Sequence, residues 1–328
     1  MERVSRPLSS ITDASIDLET GAKKQPRRAE NWQTEAFETV VKKHAIILSA
    51  PEVYAECSHL GYEKSKYPLH KSILLGIIAG MYAGIGATTC LLVAGTLNQA
   101  PNNPKYPSGQ NPEKNIGAYR ILYGVFGFPL GFLAITTCGA ELFTSLTLYT
   151  SLAWWEGKIS LVRVCRMLVV SWCSNFVGCG IVTALYYWSD IYDGQEMTLF
   201  NIVKHKMELP WVDVVVLGIF ANMLVCMATW MYNSALDFTG KVFAVWFPIA
   251  SFAMCSYEHS IANMFYMLMA VAQGYDLSVT DILWKNLIPS TIGNMIGASL
   301  LFTSFYTFTY GKPDLKFTMK RLYNNDKN

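Results

Sequence analysis

Long apolar stretches separated by short polar segments run through most of the chain. Six of them, at 72–97, 121–155, 167–188, 214–236, 242–274 and 287–310, are long enough to cross a bilayer core, which takes about 20 apolar residues per helix. The first, third, fourth and sixth contain no charged residue. The second and fifth exceed what one crossing needs, and each carries one acid near its middle, Glu141 or Glu258. Each acid lies beside a helix-weakening patch: Thr136, Thr137, Cys138, Gly139 and Ala140 in one, Cys255, Ser256 and Tyr257 in the other. Long spans interrupted by polar residues read as broken helices, whose loosened backbone lines a cavity or is buried in protein. Between Lys241 and Asp276, only Glu258 and its neighbour His259 carry a charge or titrate near neutrality. Ionisable side chains inside a membrane mark an ion or proton path by default. The pattern predicts an all-α membrane protein with six transmembrane helices, the second and fifth broken.

The polar punctuation recurs. Phe128-Pro129 opens the second span and Phe247-Pro248 the body of the fifth, while Asn175 precedes Gly178 in the third as Asn294 precedes Gly297 in the sixth. Proline and asparagine are 46 positions apart in both cases, and the buried acids follow their prolines by 12 and 10 positions. Spans one to three (about 70–190) and four to six (about 206–311) therefore read as two copies of one unit. An odd number of crossings per copy sets the copies in opposite orientation. The result is an inverted 3+3 repeat with the path at its interface.

Composition agrees with a membrane protein. Of 328 residues, 52% are hydrophobic and 15% charged, against about 25% charged in soluble proteins. A net charge of +2 gives no reason to expect nucleic acid. With the N-terminus inside, 20 of the 26 lysines and arginines fall on the inner side, including Lys158, Arg163, Arg166 and Lys241 in short loops. The positive-inside rule then places both termini in the cytoplasm, and a multi-pass protein of the plasma membrane is expected. Residues 1–45 read as a largely disordered cytoplasmic tail without a signal peptide, 46–311 as the six-helix membrane domain, and 312–328 as a second cytoplasmic tail. Residues 31–60 suggest a surface helix with a stripe of Ala36, Phe37, Val40 and Val41, followed by a break at Pro51. Eight cysteines without a CxxC pair read as small buried hydrophobes.

Three motifs resemble the formate/nitrite transporter family: Gly139-Ala-Glu-Leu-Phe-Thr-Ser145, Gly218-Ile-Phe-Ala-Asn-Met-Leu-Val-Cys226 and Glu258-His-Ser-Ile-Ala-Asn-Met264. Lys206, 16 positions before Asn222, completes the pattern, which covers roughly residues 45–311. The resemblance implies an aquaporin-like pore in each protomer of a homopentamer. It implies passage of small monovalent anions of weak acids (formate, nitrite, acetate, lactate, hydrosulfide) with a proton, and neither cofactor nor metal. By resemblance, His259 is the central histidine and Thr144 faces it. Asn222 and Val225 line an inner constriction with Leu142 and Phe143. Phe128, Phe132 and Phe252 form apolar rings around the central chamber. Lys206 stands at the outer vestibule with Asp213 as its accompanying acid, and Glu258 and Asn263 belong to the same substrate path. The outer segment 98–118 and the N-terminal tail are longer than the family pattern, which leaves vestibule shape and gating open.

A bare anion in an apolar constriction costs several kcal/mol or more. Lys206 would raise the local anion concentration, and desolvation favours the neutral acid. For a weak acid of reference pKa about 4, half protonation at pH 7 takes about 3 units, or roughly 4 kcal/mol. The proton comes from water or from His259. Burial disfavours a charged His259 while Glu258 favours one. The preferred reading is a neutral His259 that positions substrate or Thr144. Glu258 and Glu141 are expected to hold free N–H groups at the breaks, and Asn175 and Asn294 to bridge helices. Ser145 narrows the chamber and weakly favours formate over lactate. The alternative is a neutral small-solute channel of the aquaporin type, but that fold uses paired Asn-Pro-Ala boxes and none occurs here. An intramembrane serine protease would need a Gly-x-Ser-Gly setting, also absent. The other histidines (His44, His59, His70, His205) fall outside the spans and so offer His259 no metal-site partner.

Overall fold

A computed structural model of the chain describes residues 46–95 and 116–312. The stripe at Ala36–Val41, His44 and most of segment 98–118 lie outside these residues. Among the described residues the regular elements are helices, apart from one antiparallel bridge between Ile47 and Ala235.

Helix α1 (Ala50–Ser65) opens on a capping box: the Ser49 N–H and hydroxyl donate to the Glu52 carboxylate at 2.9 and 2.6 Å. Pro51 sits in the first turn. A proline there has no N–H to lose, because the first-turn N–H groups lack helical partners anyway. The break expected at Pro51 is therefore the start of a helix. Nor does α1 lie wholly on a surface, since Val53, Tyr54 and Cys57 are buried against Leu148, Leu152, Cys226 and Trp230.

Then follow α2 (Leu69–Gly95), α3 (Ile116–Val125), α4 (Gly127–Thr137), α5 (Phe143–Trp155), α6 (Leu161–Trp188), α7 (Glu196–Glu208), α8 (Trp211–Ser234), α9 (Phe238–Met254), α10 (Ser260–Ala272) and α11 (Val279–Tyr310). Among the described residues, five helical stretches are long and apolar enough to cross a membrane: α2, Gly117–Thr137 across the bend at Phe126, α6, α8 and α11. The span expected at 121–155 is interrupted at residues 138–142, and the one expected at 242–274 at residues 255–259. Helix α11 begins at Val279 rather than at 287. Its first turns carry Asp281 and Lys285, which pair at 3.0 Å at the exposed end. Charges at a helix end stay in contact with water, so hydropathy alone starts the span too late. Within α11, Ile282–Leu287 and Ile296–Phe302 are π-helical.

The halves use the same pairings: α2 packs on α6 as α8 packs on α11, and α2 on α4 as α8 on α9. Glycines set the closest approaches, as is usual where helices meet in lipid. A Cβ on Gly80 of α2 would sit 2.1 Å from the Asn175 carbonyl of α6, and one on Gly293 of α11 would sit 2.2 Å from the Val215 carbonyl of α8. Helix α10 runs through the interior, with residues 260–267 all buried. Large apolar side chains such as Val169, Phe220, Phe247 and Phe305 point outward and are exposed. The cysteines divide evenly, with Cys57, Cys90, Cys179 and Cys226 buried and Cys138, Cys165, Cys173 and Cys255 exposed. An outward position in a membrane span is apolar too, so sequence alone cannot separate the two groups.

Candidate functional site

The two interruptions are built alike. After α4, the Ala140 N–H bonds back to the Ile135 carbonyl; after α9, the Tyr257 N–H reaches the Phe252 carbonyl. These wraps close the preceding helix. Both need one residue in the left-handed region, Gly139 at φ 72° and Ser256 at φ 55°. Glycine adopts this without cost, whereas serine carries strain. Two residues further on stand the acids, and two beyond them the next helix begins.

The groups freed at each break are taken up by an asparagine from the neighbouring helix. Asn175 Oδ1 accepts from the Phe143 N–H at 2.8 Å, and its Nδ2 donates to the Gly76 and Glu141 carbonyls. Asn294 does the same for the Ser260 N–H at 2.9 Å and for the Gly218 and Glu258 carbonyls. Asn175 and Asn294 are thus caps as well as bridges. The acid side chains do other work. Glu258 takes Lys206 Nζ at 2.7 Å, Asn263 Nδ2 at 2.6 Å and Asn286 Nδ2 at 3.0 Å. Glu141 faces Lys64 Nζ of α1 at 3.4 Å. The expectation that Glu258 and Glu141 hold backbone N–H groups is therefore corrected: a carboxylate buried here needs a cation, and an uncharged amide serves the backbone. Lys206 is itself buried, and its acid is Glu258 and not Asp213, which is exposed in the first turn of α8.

Between the breaks lies a cavity of about 20 Å³, room for about one water-sized molecule. Phe128 and Phe132 of α4, Leu142 and His259 of the breaks, Val225 of α8 and Phe252 of α9 all line it. Among the described residues, His259 is the one polar side chain in this wall. Its Nε2 lies 2.8 Å from Thr144 Oγ1, and its Nδ1 accepts the Ala262 N–H at 3.1 Å. The second contact decides the tautomer. An Nδ1 that accepts a hydrogen bond carries no proton, so a neutral ring holds its proton on Nε2 and donates it to Thr144. A doubly protonated ring would lose the bond that caps α10.

A second cavity, of about 490 Å³, adjoins the first and shares Phe128, Phe252 and Ala262 with it. The Phe128 and Phe252 rings, 5.5 Å apart and edge-on, stand between the two. Lys206 and Asn263 line this larger space together with Arg120 and His205.

Two expected residues lie elsewhere. Asn222 is fully buried and donates to Thr147 Oγ1 at 3.0 Å and to the Asn294 carbonyl at 2.7 Å, tying α8 to α5 and α11. Phe143 belongs to a separate apolar cavity of about 500 Å³ with Trp172, Leu287 and Thr291. Sequence reasoning missed Lys64, Ile249 and Asn286. Lys64 lies in a segment rich in ordinary polar residues, and Ile249 resembles any apolar residue of its span. Asn286 falls one residue before the expected start of the sixth span.

A family model described as formate/nitrite transporter matches residues 51–308. Formate-nitrite transporter 3 of Toxoplasma gondii is 30% identical over 272 residues, covering 81% of this chain and 52% of its own length. A probable formate transporter of Methanothermobacter thermautotrophicus is 29% identical over 278 residues, covering 78% of this chain and 94% of its own. The chain thus spans about half the length of the first relative and nearly all of the second. Among solved structures, a pentameric formate channel with formate bound aligns at a TM-score of 0.62 and 27% identity, over 74% of this chain and 98% of that one. An FNT family ion channel aligns at a TM-score of 0.64 and 24% identity, over 79% and 98%, and shares the fold.

Proposed function

The chain belongs to the formate/nitrite transporter family, and from that premise we propose that it is a proton-linked channel or transporter for small monovalent anions of weak acids such as formate, nitrite, acetate and lactate. As a member of that family with several long apolar helices, it is an integral, multi-pass membrane protein and not an enzyme. Six crossings account for the helices: α2, α3–α5, α6, α8, α9–α10 and α11. The recurrent packing, the matching breaks and the twin asparagines support an inverted repeat, and the bias of Lys and Arg toward one side supports both termini in the cytoplasm. The solved formate channel that resembles it is pentameric, and the exposed apolar faces suit a homopentamer in the plasma membrane.

The observation that carries the reading is the Thr144–His259 hydrogen bond. His259 comes from one break and Thr144 from the first turn of the helix that follows the other, and both are buried. An anion entering the larger cavity meets Lys206, loses water toward the Phe128–Phe252 pair, and becomes easier to protonate as it desolvates. Phe132, Leu142 and Val225 continue the apolar wall past His259. A neutral acid crosses such a wall at far lower cost than an ion. The proton comes from water on the vestibule side. A neutral imidazole giving up its Nε2 proton would be left as an anion, so His259 and Thr144 position the substrate instead. Glu258 holds Lys206 in place, and Asn263 and Asn286 hold Glu258. Asn222 braces the helices around the path.

Uptake of labelled formate, nitrite, acetate and lactate into liposomes carrying the purified protein tests this. Saturable entry of one or more of them, absent from empty liposomes, is expected. His259→Ala should abolish entry or remove its regulation. Flux with wild-type rate and pH dependence in that variant would remove the role assigned to His259.

A further inference from the structure

Tyr123 of α3 and Tyr266 of α10 are both buried, and their hydroxyls meet within hydrogen-bonding reach. Both line the larger cavity that also holds Lys206. Their rings pack edge-on against Phe128, with centroids 6.5 and 6.2 Å away. Phe128 in turn lines the His259 chamber. The hydroxyl pair therefore stands at the end of the vestibule next to the constriction.

Two facing hydroxyls have two protons and use only one between them. Among the described residues no acceptor takes the second. Buried polar groups are normally satisfied, and phenylalanine at either position would pack against Phe128 without leaving a proton unmatched. A hydroxyl proton facing a cavity supplied with cations at Lys206 and Arg120 is a donor waiting for an acceptor. A carboxylate or nitrite offers two acceptor oxygens, so on its arrival the mutual bond opens and each hydroxyl donates to one of them.

Resting on the transport reading above, we propose that Tyr123 and Tyr266 form a substrate subsite that binds small oxyanions by O–H donation just before the Phe128–Phe252 constriction. The hydroxyls replace part of the hydration shell that the anion sheds there. They favour oxygen acceptors over sulfur, a weaker acceptor.

The test is concentration-dependent uptake of formate and of hydrosulfide into liposomes bearing wild-type protein, Tyr123→Phe or Tyr266→Phe, with thermal unfolding of each protein in detergent alongside. The apparent KM for formate should rise roughly tenfold in either variant, the size of one hydrogen bond to a charged acceptor. The maximal rate and the KM for hydrosulfide should stay within about twofold. A formate KM unchanged in both variants overturns the subsite. So does an equal loss for formate and hydrosulfide with a lowered unfolding temperature, because the hydroxyls are then only a clasp between α3 and α10. Failure of the transport reading looks different: wild-type protein itself carries no formate, and the subsite falls with it.

Discussion

Lys206 and Glu258 carry opposite charges 2.7 Å apart, with side chains only 8% and 1% exposed. Losing one partner leaves the other as an unpaired buried charge, which typically costs about 3–5 kcal/mol. Replacing both with uncharged residues of similar size removes that penalty. Lys206→Ala should therefore lower the unfolding temperature sharply, while a Lys206→Met/Glu258→Gln double variant should unfold near the wild type. The double variant should still show a raised apparent KM for anion uptake, since the cation is gone. If the single variant unfolds like the wild type, the pair is not buried as described. At this scale the sequence was informative through resemblance more than through chemistry. His259 and Glu258 stand out as ionisable residues in an apolar span, but nothing intrinsic separates Phe128, Phe132 and Phe252 from the other phenylalanines. Nor does the sequence alone tell that the Glu258 carboxylate takes Lys206, since a partner 52 positions away is set by tertiary packing.

Helices meet here through glycines whose replacement should be felt unequally. On α6, a Cβ at Gly178 would lie 2.0 Å from the Ile77 carbonyl, whereas one at Gly180 would have nothing within 4 Å. Gly178→Ala must push α2 and α6 apart and should destabilise by about 1–3 kcal/mol, as overpacking does. Gly180→Ala, two residues along the same helix, should be neutral or stabilising by up to about 1 kcal/mol from helix propensity. Thermal unfolding of the two variants in detergent checks the contrast, and equal effects would contradict the packing of α2 on α6. Five long apolar helices are legible because length and apolarity follow from bilayer thickness. Their ends are less so, as the start of α11 shows, because charged side chains at a terminus reach water. The breaks are legible from Gly139 and from the buried acids. The capping roles of Asn175 and Asn294 are not, since an asparagine in an apolar span reads equally well as a bridge between helices.

Taken whole, the molecule joins Thr144 to His259 where two broken segments meet, and His259 faces a cavity walled by apolar side chains. A cavity of about 20 Å³ with one polar side chain is hostile to a hydrated anion and tolerant of a small neutral acid. The 46-residue spacing shared by the two halves makes the paired breaks visible in outline from the sequence. Which side chains face the centre depends on the rotation of each helix, which spacing alone does not set. The central claim is that substrate crosses the chamber protonated. The most direct measurement is the initial rate of labelled formate entry into liposomes carrying the protein, at one subsaturating formate concentration and a series of external pH values. Well above the acid's pKa, its neutral fraction changes about tenfold per pH unit. Entry should therefore rise steeply, approaching tenfold per unit, as the external medium is acidified from neutrality. A rate that stays flat across that range, with empty liposomes subtracted, would contradict the claim.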